Sequence, residues 1–148
     1  MIKILIIILL ILVIILLTIL IIKLCSNSPK SKGKEGERQV AKYLSNLPSK
    51  KYIVLNNILL QNNYHSTQID HIVFSVYGIF VIETKNYSGI IRGKENSENW
   101  TKETYGNKFP FRNPILQNKA HIKALQRILS IRDERKIIPI VTFSRRAK

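Results

Sequence analysis

The longest uncharged stretch of the chain limits how the rest of it can fold. Residues 4–22 contain no charged side chain and one polar residue, Thr18. In an α-helix these nineteen residues extend about 28 Å, close to the hydrocarbon thickness of a bilayer. Lys3 and Lys23 stand at its two ends, where their side chains can reach lipid headgroups. We therefore predict a transmembrane anchor over residues 1–24.

A cleaved signal peptide is the alternative interpretation of this stretch. Its apolar region would be about 7–15 residues long, and a cleavage site of small residues would follow it. The sequence that follows, "IIKLCSNSPK", has no such site, which favours an uncleaved anchor. Basic residues crowd the side after the stretch, so the positive-inside rule predicts a single-pass protein of the cell membrane with its soluble part in the cytoplasm.

The chain is strongly basic, with 24 Lys and Arg against 9 Asp and Glu and a net charge of +15. Such an excess suits polyanions, either nucleic acid or anionic lipid headgroups. A general compositional bias towards lysine is the alternative explanation. The charge alone therefore names no partner.

Two regions follow the anchor. Residues 25–34, "CSNSPKSKGK", are polar and without periodicity, which predicts a basic flexible linker. Residues 35–148 are long enough for one small domain with its own core.

Secondary structure in this domain can be predicted from periodicity and turn signals. The segment "EGERQVAKYLSNL" predicts a helix with acids in its first turn, and "RNPILQNKAHIKALQRIL" a second helix with Asn113 as N-cap and Pro114 at its first position. Strands are predicted at "KYIVLNNILL", "TQIDHIVFS", "GIFVIETKN", "SGIIRGK", "ENWTKETY" and "KIIPIVTFS", with Pro139 placing the last at an end or edge. The order α-β-β-β-β-α-β predicts an α/β (α+β) domain whose central mixed sheet is flanked by helices.

The second and third of these strands form a predicted hairpin with acids in its most apolar part. If Val76 and Tyr77 form a two-residue loop, Asp70 lies opposite Glu83, and Gln68 faces Lys85. A loop at Tyr77 and Gly78 would make Asp70 and Glu83 diagonal neighbours on the same face. A three-residue loop with Gly78 in a bulge would break this parity, and all three loops remain open.

Two carboxylates across a hairpin repel each other, and burial increases the repulsion. Lys85 compensates one negative charge, and a divalent cation would compensate the other. Carboxylate oxygens suit Mg²⁺ or Mn²⁺, which can activate water and stabilise charge on a phosphate. The alternative is a salt-bridged hairpin without metal.

Several separated segments resemble one known family. The segments are "GERQVAKYL", "TQIDHIVFSVYGIFVIETKNYSG" and "NPILQNKAHIKAL", with Trp100 between the last two. Together they resemble the nuclease-related domain family, in order from about Gly36 to Phe143. The resemblance implies a restriction-endonuclease-like fold, in which a D…E-x-K core binds Mg²⁺ and cleaves phosphodiesters. Ile69 precedes Asp70 where that superfamily often has proline, but the family's own pattern reads I-D-H.

The resemblance assigns roles to five residues. Asp70 and Glu83 would hold Mg²⁺ or Mn²⁺, and Lys85 would position the attacking water or stabilise the developing phosphorane charge. Glu37 would bind the metal through water, although an acid that favours the start of its helix is the alternative. Gln117 would orient a phosphate or a ligand, with an exposed helix amide as its alternative.

Four further residues have side chains suited to a site. We predict a structural role for His71, which points away from Asp70, whereas His121 lies one turn after Gln117 on the same helix face and could touch the site. Trp100 and Tyr105 could stack on bases, but packing in the core or sheet is favoured.

The leading hypothesis is a membrane-anchored, metal-dependent nuclease acting on cytoplasmic nucleic acid, DNA in preference to RNA. The first alternative is a non-catalytic module that binds nucleic acid or partners at the membrane. The second is a membrane-surface protein whose basic linker holds anionic lipid, which explains the charge but leaves the hairpin unexplained.

Overall fold

The apolar stretch near the N-terminus forms a helix, α1 (Ile2–Ser26), in the computed structural model. The structure describes residues 2–26, 28–61, 66–131 and 133–148. Within α1, Ile6–Cys25 is long and apolar enough to cross a membrane, and none of it is buried. Because a signal sequence has the same length and composition, this helix could be either a membrane span or a signal sequence.

The second helix, α2 (Pro29–Leu44), begins earlier than the sequence predicts. The Ser28 hydroxyl accepts a hydrogen bond from the backbone N–H of Ser31 at 3.1 Å, and Pro29 occupies the first helical position, where proline is favoured. The predicted flexible linker is therefore wrong for residues 29–34, which are helical. Glu37 consequently lies inside the helix rather than in its first turn, and the explanation of Glu37 as a favourable acid at a helix start does not apply.

The chain divides into two units, Met1–Lys34 and Glu35–Lys148. The strands described in the second unit are β1 (Tyr52–Gln61), β2 (Ser66–Ser75), β3 (Gly78–Lys85), β4 (Ile90–Arg92), β5 (Asn99–Thr104), β6 (Asn107–Arg112) and β7 (Ile137–Phe143). Helix α3 (Pro114–Leu129) and a short 3₁₀ turn, Glu134–Lys136, separate β6 from β7.

The central sheet has the strand order β1-β2-β3-β7, and it is mixed as predicted. Strands β1, β2 and β3 are antiparallel neighbours, whereas β7 runs parallel to β3. Pro139 lies in β7, at the edge of this sheet, where its missing N–H costs no ladder hydrogen bond. Strand β3 therefore lies inside the sheet, with a neighbour on each side.

The β2–β3 hairpin has the predicted two-residue loop, Val76 and Tyr77. Ser75 pairs with Gly78, and the ladder continues inward as far as His71 and Ile82. The register places Asp70 and Glu83 at the next position, where the ladder ends. The predicted contact between Gln68 and Lys85 is wrong, because the ladder does not reach them and the Gln68 amide donates to Asn57 Oδ1 on β1 instead, at 2.7 Å.

A second, three-stranded sheet of order β4-β5-β6 is antiparallel throughout. Six of the described strands lie between α2 and α3, so the predicted order α-β-β-β-β-α-β, with four strands there, is wrong. Of the six, β6 had no predicted segment. Tyr105 and Gly106 form the β5–β6 turn, both with positive φ (50° and 78°), as a two-residue hairpin loop requires. Trp100 of β5 stacks on Phe143 of β7 at 6.3 Å between ring centroids, and this contact joins the two sheets.

Helix α3 covers the central sheet and fixes its own position through two buried asparagines. Asn113 caps the helix as predicted, accepting from the backbone N–H of Ile115 at 2.9 Å. Asn118 donates to the carbonyls of Val81 on β3 and Ile140 on β7, both at 2.9 Å. The hydrophobic core includes Leu125 of this helix together with Ile69, Ile72, Val81 and Ile137 of the strands. The helix is thus held at a fixed rotation against β3.

Candidate active site

Glu83 is the buried centre of a polar cluster at the end of β3. Its side chain is 2% exposed, and both carboxylate oxygens have partners. Oε1 accepts from Lys85 Nζ at 2.6 Å, and Oε2 lies 3.2 Å from His121 Nε2. Burial acts to raise the pKa of Glu83, but the hydrogen bond with His121 and the charge of Lys85 outweigh it and hold the pKa below its ordinary value. Glu83 is therefore a carboxylate at neutral pH.

Lys85 joins the end of β3 to helix α3. Besides Glu83, its ammonium group donates to Gln117 Oε1 at 3.0 Å. Residues 83 and 85 of a strand share a face, so the two side chains meet without any distortion of β3. Gln117 lies in the first turns of α3, four residues after the Asn113 cap, to whose carbonyl its N–H donates. The structure thus brings together three of the five predicted residues through direct contacts.

His121 is a fourth member of this cluster and is almost fully buried. Its Nδ1 lies 2.8 Å from Thr67 Oγ1 on β2, opposite the contact with Glu83. Because an ionised carboxylate only accepts hydrogen bonds, Nε2 of His121 donates to Glu83, while Nδ1 shares a hydrogen bond with the Thr67 hydroxyl. In the sequence, the position of His121 four residues after Gln117 indicated that it could reach the site, whereas no sequence signal pointed to Thr67.

Asp70 lies beside this cluster and has a different environment. Its Oδ2 accepts from the backbone N–H of Thr84 at 2.7 Å, and among the described residues Oδ1 accepts no hydrogen bond. Burial and the negative charge of Glu83 raise the pKa of Asp70 from 3.8 to about 6, against the opposing hydrogen bond from Thr84. Two carboxyl groups on one hairpin thus have pKa values displaced in opposite directions.

Glu37 approaches the same cluster from helix α2. Its charge contributes to the raised pKa of Asp70, after the effects of burial and of Glu83. Close packing brings the helix there, because a Cβ at Gly36 would lie 2.5 Å from Cβ of Asn86, the residue after Lys85. Glycine at position 36 is therefore what allows α2 to approach the end of β3.

The other predicted residues lie away from the cluster. His71 is buried and pairs with Asn56 of β1 at 2.8 Å, in agreement with a structural role. Trp100 packs between Phe111 and Phe143, as the favoured interpretation predicted. The same interpretation is wrong for Tyr105, which is 98% exposed at the β5–β6 turn.

The chemistry of the donor set fits a hard divalent cation. Among the described residues no group of three or more His, Cys, Asp or Glu side chains is arranged to hold a metal ion. Magnesium commonly keeps several waters and binds through one or two carboxylates, and Asp70 and Glu83 provide that number. A cation there would also relieve the repulsion that raises the pKa of Asp70.

A mixed four-stranded sheet covered by a helix, with an acid on each strand of its β2–β3 hairpin and Lys85 at the end of β3, defines a mixed α/β protein. The nuclease-related domain family matches residues 32–144, so the chain belongs to that family. Its placement in the restriction-endonuclease-like superfamily is consistent with this membership. An uncharacterized protein of Bacillus anthracis is 48% identical over 99 residues, which cover 66% of this chain and 47% of that protein. The chain thus spans about half the length of this relative. No solved structure matches the chain.

Proposed function

We propose that this protein is a metal-dependent nuclease that hydrolyses phosphodiester bonds of nucleic acid, and we favour DNA over RNA as the nucleic acid it acts on. The observation that carries the proposal is the position of Lys85, whose ammonium group lies between Glu83 and Gln117 and on the same hairpin as Asp70. A lysine in that position can stabilise negative charge on an attacked phosphate. Membership in a nuclease-related family supports the same reaction class.

Each of the five predicted site residues has a role in this proposal. Asp70 and Glu83 would hold Mg²⁺ or Mn²⁺, which when bound would supply charge stabilisation and an acidified water. Lys85 binds a phosphate oxygen or orients the attacking water, and Gln117 directs the ammonium group by accepting one of its hydrogen bonds. Glu37 contributes negative charge to the metal's surroundings.

The test is a cleavage assay on the full chain in non-ionic detergent micelles. Single-stranded and duplex DNA and RNA are each incubated with Mg²⁺, with Mn²⁺ and with EDTA. We expect cleavage of at least one DNA substrate with metal and none with EDTA. Absence of cleavage from every substrate, by wild-type protein that unfolds cooperatively and binds Mn²⁺ in a calorimetric titration, would contradict the proposal.

We expect His121→Gln to weaken Mn²⁺ binding by about 10–100-fold, the usual effect of losing a residue that orients a metal ligand. His121 fixes the Glu83 carboxylate through Oε2, and glutamine in its place cannot also reach Thr67. Calorimetric titration measures the affinity. His71→Gln is the control, since His71 is also buried but pairs with Asn56 of β1 and not with Glu83, and equal affinity in both variants would rule out an orienting role for His121.

One observation favours a second candidate function, a non-catalytic module that binds nucleic acid or partners. Both oxygens of Glu83 are already paired, one with Lys85 and the other with His121. The buried carboxylate therefore has protein partners for both oxygens without a metal ion. If Mn²⁺ does not bind at millimolar concentration while nucleic acid does, this second function replaces the first.

We also propose that α1 anchors the protein in the membrane with Glu35–Lys148 in the cytoplasm. The length of Ile6–Cys25 and the lysines and arginines that follow it support this orientation. A protease added outside intact cells is expected to leave the domain whole, and to degrade it once the cells are permeabilised. Degradation from outside, or a soluble form lacking α1, would show that the helix is a signal sequence or is oriented the other way.

A further inference from the structure

A cleft of about 630 Å³ opens beside Lys85 and is distinct from the contacts described so far. Its lining comes from α2, from the end of β3 and from the segment after β7. This volume lies in the range of sites that bind small ligands. The cleft therefore has room for a ligand next to Lys85, and the residues of its walls indicate the chemistry of that ligand.

One wall is a face of α2 that ends in an aromatic side chain. Gly36, Gln39, Val40 and Tyr43 all line the cleft, and their spacing of three and four residues places them on one side of the helix. Tyr43 is 67% exposed. An exposed tyrosine at the edge of a cleft offers a flat surface on which an unpaired base can stack.

The opposite wall is basic, and backbone hydrogen bonds hold it in place. Ser144 N–H donates to the carbonyl of Lys85 at 3.0 Å, which ties the segment after β7 to the end of β3. Arg145 and Arg146 follow, both exposed, and Arg146 donates to Asn86 Oδ1 at 3.0 Å. Arg145 and Arg146 place two positive charges along one side of the cleft, next to Lys85, whose ammonium group is paired with Glu83.

The acid in the cleft wall does not cancel these charges. Glu35 lies at the rim and accepts two hydrogen bonds from the Arg38 guanidinium, each 2.9 Å long. That pair is neutral as a unit, and so is the pair of Lys85 with Glu83, so the net positive charge in the cleft wall comes from Arg145 and Arg146. A cleft lined by one sign of charge concentrates ligands of the opposite sign.

We propose that this cleft binds a single-stranded segment of nucleic acid next to the bond that is cut. Arg145 and Arg146 hold the backbone phosphate adjacent to the one at Lys85, and Tyr43 stacks on an unpaired base. The inference rests on the proposed function, since it takes Lys85 to mark the reacting phosphate. A duplex is disfavoured because its bases are stacked on one another and present no free face to Tyr43.

The test is a binding measurement that requires no cleavage. The full chain in non-ionic micelles is titrated, in EDTA, into a fluorescent thymidine oligonucleotide and into a hairpin duplex with the same number of phosphates, with anisotropy as the readout. We expect Tyr43→Leu to weaken single-strand binding about tenfold and duplex binding much less. Tyr43→Phe, which keeps the ring, should retain most of the affinity.

Tyr77→Leu is the matched control, because Tyr77 is also 67% exposed but lies at the β2–β3 turn outside the cleft. Replacing Arg145 and Arg146 together by glutamine should reduce the slope of log K against log[salt] by about 0.7 for each phosphate that the arginines no longer neutralise. Equal weakening in Tyr43→Leu and Tyr77→Leu, or a salt slope unchanged by the double replacement, would overturn the inference.

The inference and the proposed function fail separately. If single-strand binding is selective and depends on Tyr43, but the protein cleaves nothing with Mn²⁺, the proposed nuclease function is rejected and the proposed binding cleft is supported. If cleavage of single-stranded substrates depends on Lys85 but is unaffected by Tyr43→Leu, the nuclease function is supported and the proposed binding cleft is rejected.

Discussion

Replacing Lys85 by methionine is expected to reduce Mn²⁺-dependent cleavage at least about 100-fold, the usual cost of losing a group that stabilises transition-state charge. Metal binding should persist, because Asp70 and Glu83 remain and a positive neighbour has been removed. The same change leaves the buried Glu83 carboxylate without its 2.6 Å partner, so unfolding without metal should become easier by about 3 kcal/mol. Cleavage rates and melting temperatures with and without Mn²⁺ measure both effects.

Lys119→Met is the control for this variant, because Lys119 is an exposed α3 lysine whose ion pair with Glu95 is 3.4 Å long. It should retain wild-type cleavage and stability. A Lys85→Met protein that still melts cooperatively with Mn²⁺ and cleaves at the wild-type rate would exclude Lys85 from the chemistry. If Mn²⁺ restores the melting temperature of Lys85→Met while cleavage stays lost, the loss of cleavage is not caused by unfolding.

Asp70→Asn is expected to stabilise the metal-free domain at neutral pH while abolishing metal-dependent cleavage. The pKa of Asp70 is raised to about 6 by burial and by Glu83, so between pH 4 and 6 the folded state binds more protons than the unfolded state. Stability therefore falls as the pH rises through this window and stays lower above it. Asparagine removes this cost, about 2 kcal/mol after allowance for solvent screening, and can still accept from Thr84 N–H.

Unfolding in denaturant at pH 4.5, 6 and 7.5 tests this expectation in EDTA. The wild-type protein should lose stability relative to Asp70→Asn as the pH rises, and Mn²⁺ should stabilise only the wild type. Asp133→Asn is a suitable control, since Asp133 lies outside the cluster and pairs with Arg135. A constant difference between wild type and Asp70→Asn across this pH range would show that the pKa of Asp70 is not raised by burial and Glu83 in the folded state.

The parts of the fold that local chemistry determines were predictable. The apolar runs on either side of Val76 and Tyr77, with Gly78 after them (φ 139°), predicted the hairpin, but they left the length and position of its loop open. Asn113 and Pro114 mark a helix start by their own preferences. Ser28 and Pro29 carried the same signal for α2, and the polar composition of residues 29–34 concealed it.

The features that depend on distant partners were not predictable. Strand β6 contains Pro110 and few apolar residues, and it forms because β5 provides a ladder for it. The contact between His121 and Glu83 depends on how α3 is rotated against β3. Helical spacing places His121 near Gln117 but leaves that rotation undetermined, and the hydrogen bonds of Asn118 to Val81 and Ile140 are what fix it.

The order in which these elements leave the ribosome follows from the topology. Glu83 and Lys85 are synthesised before α3, and β7, which flanks β3 in parallel and leads into Arg145 and Arg146, comes later still. Contacts of such long sequence separation form only after the intervening chain has emerged. The cleft therefore cannot be complete on a nascent chain before residue 146 has emerged. A chain interrupted before that point would carry Glu83, Lys85 and α3 without the basic wall of the cleft.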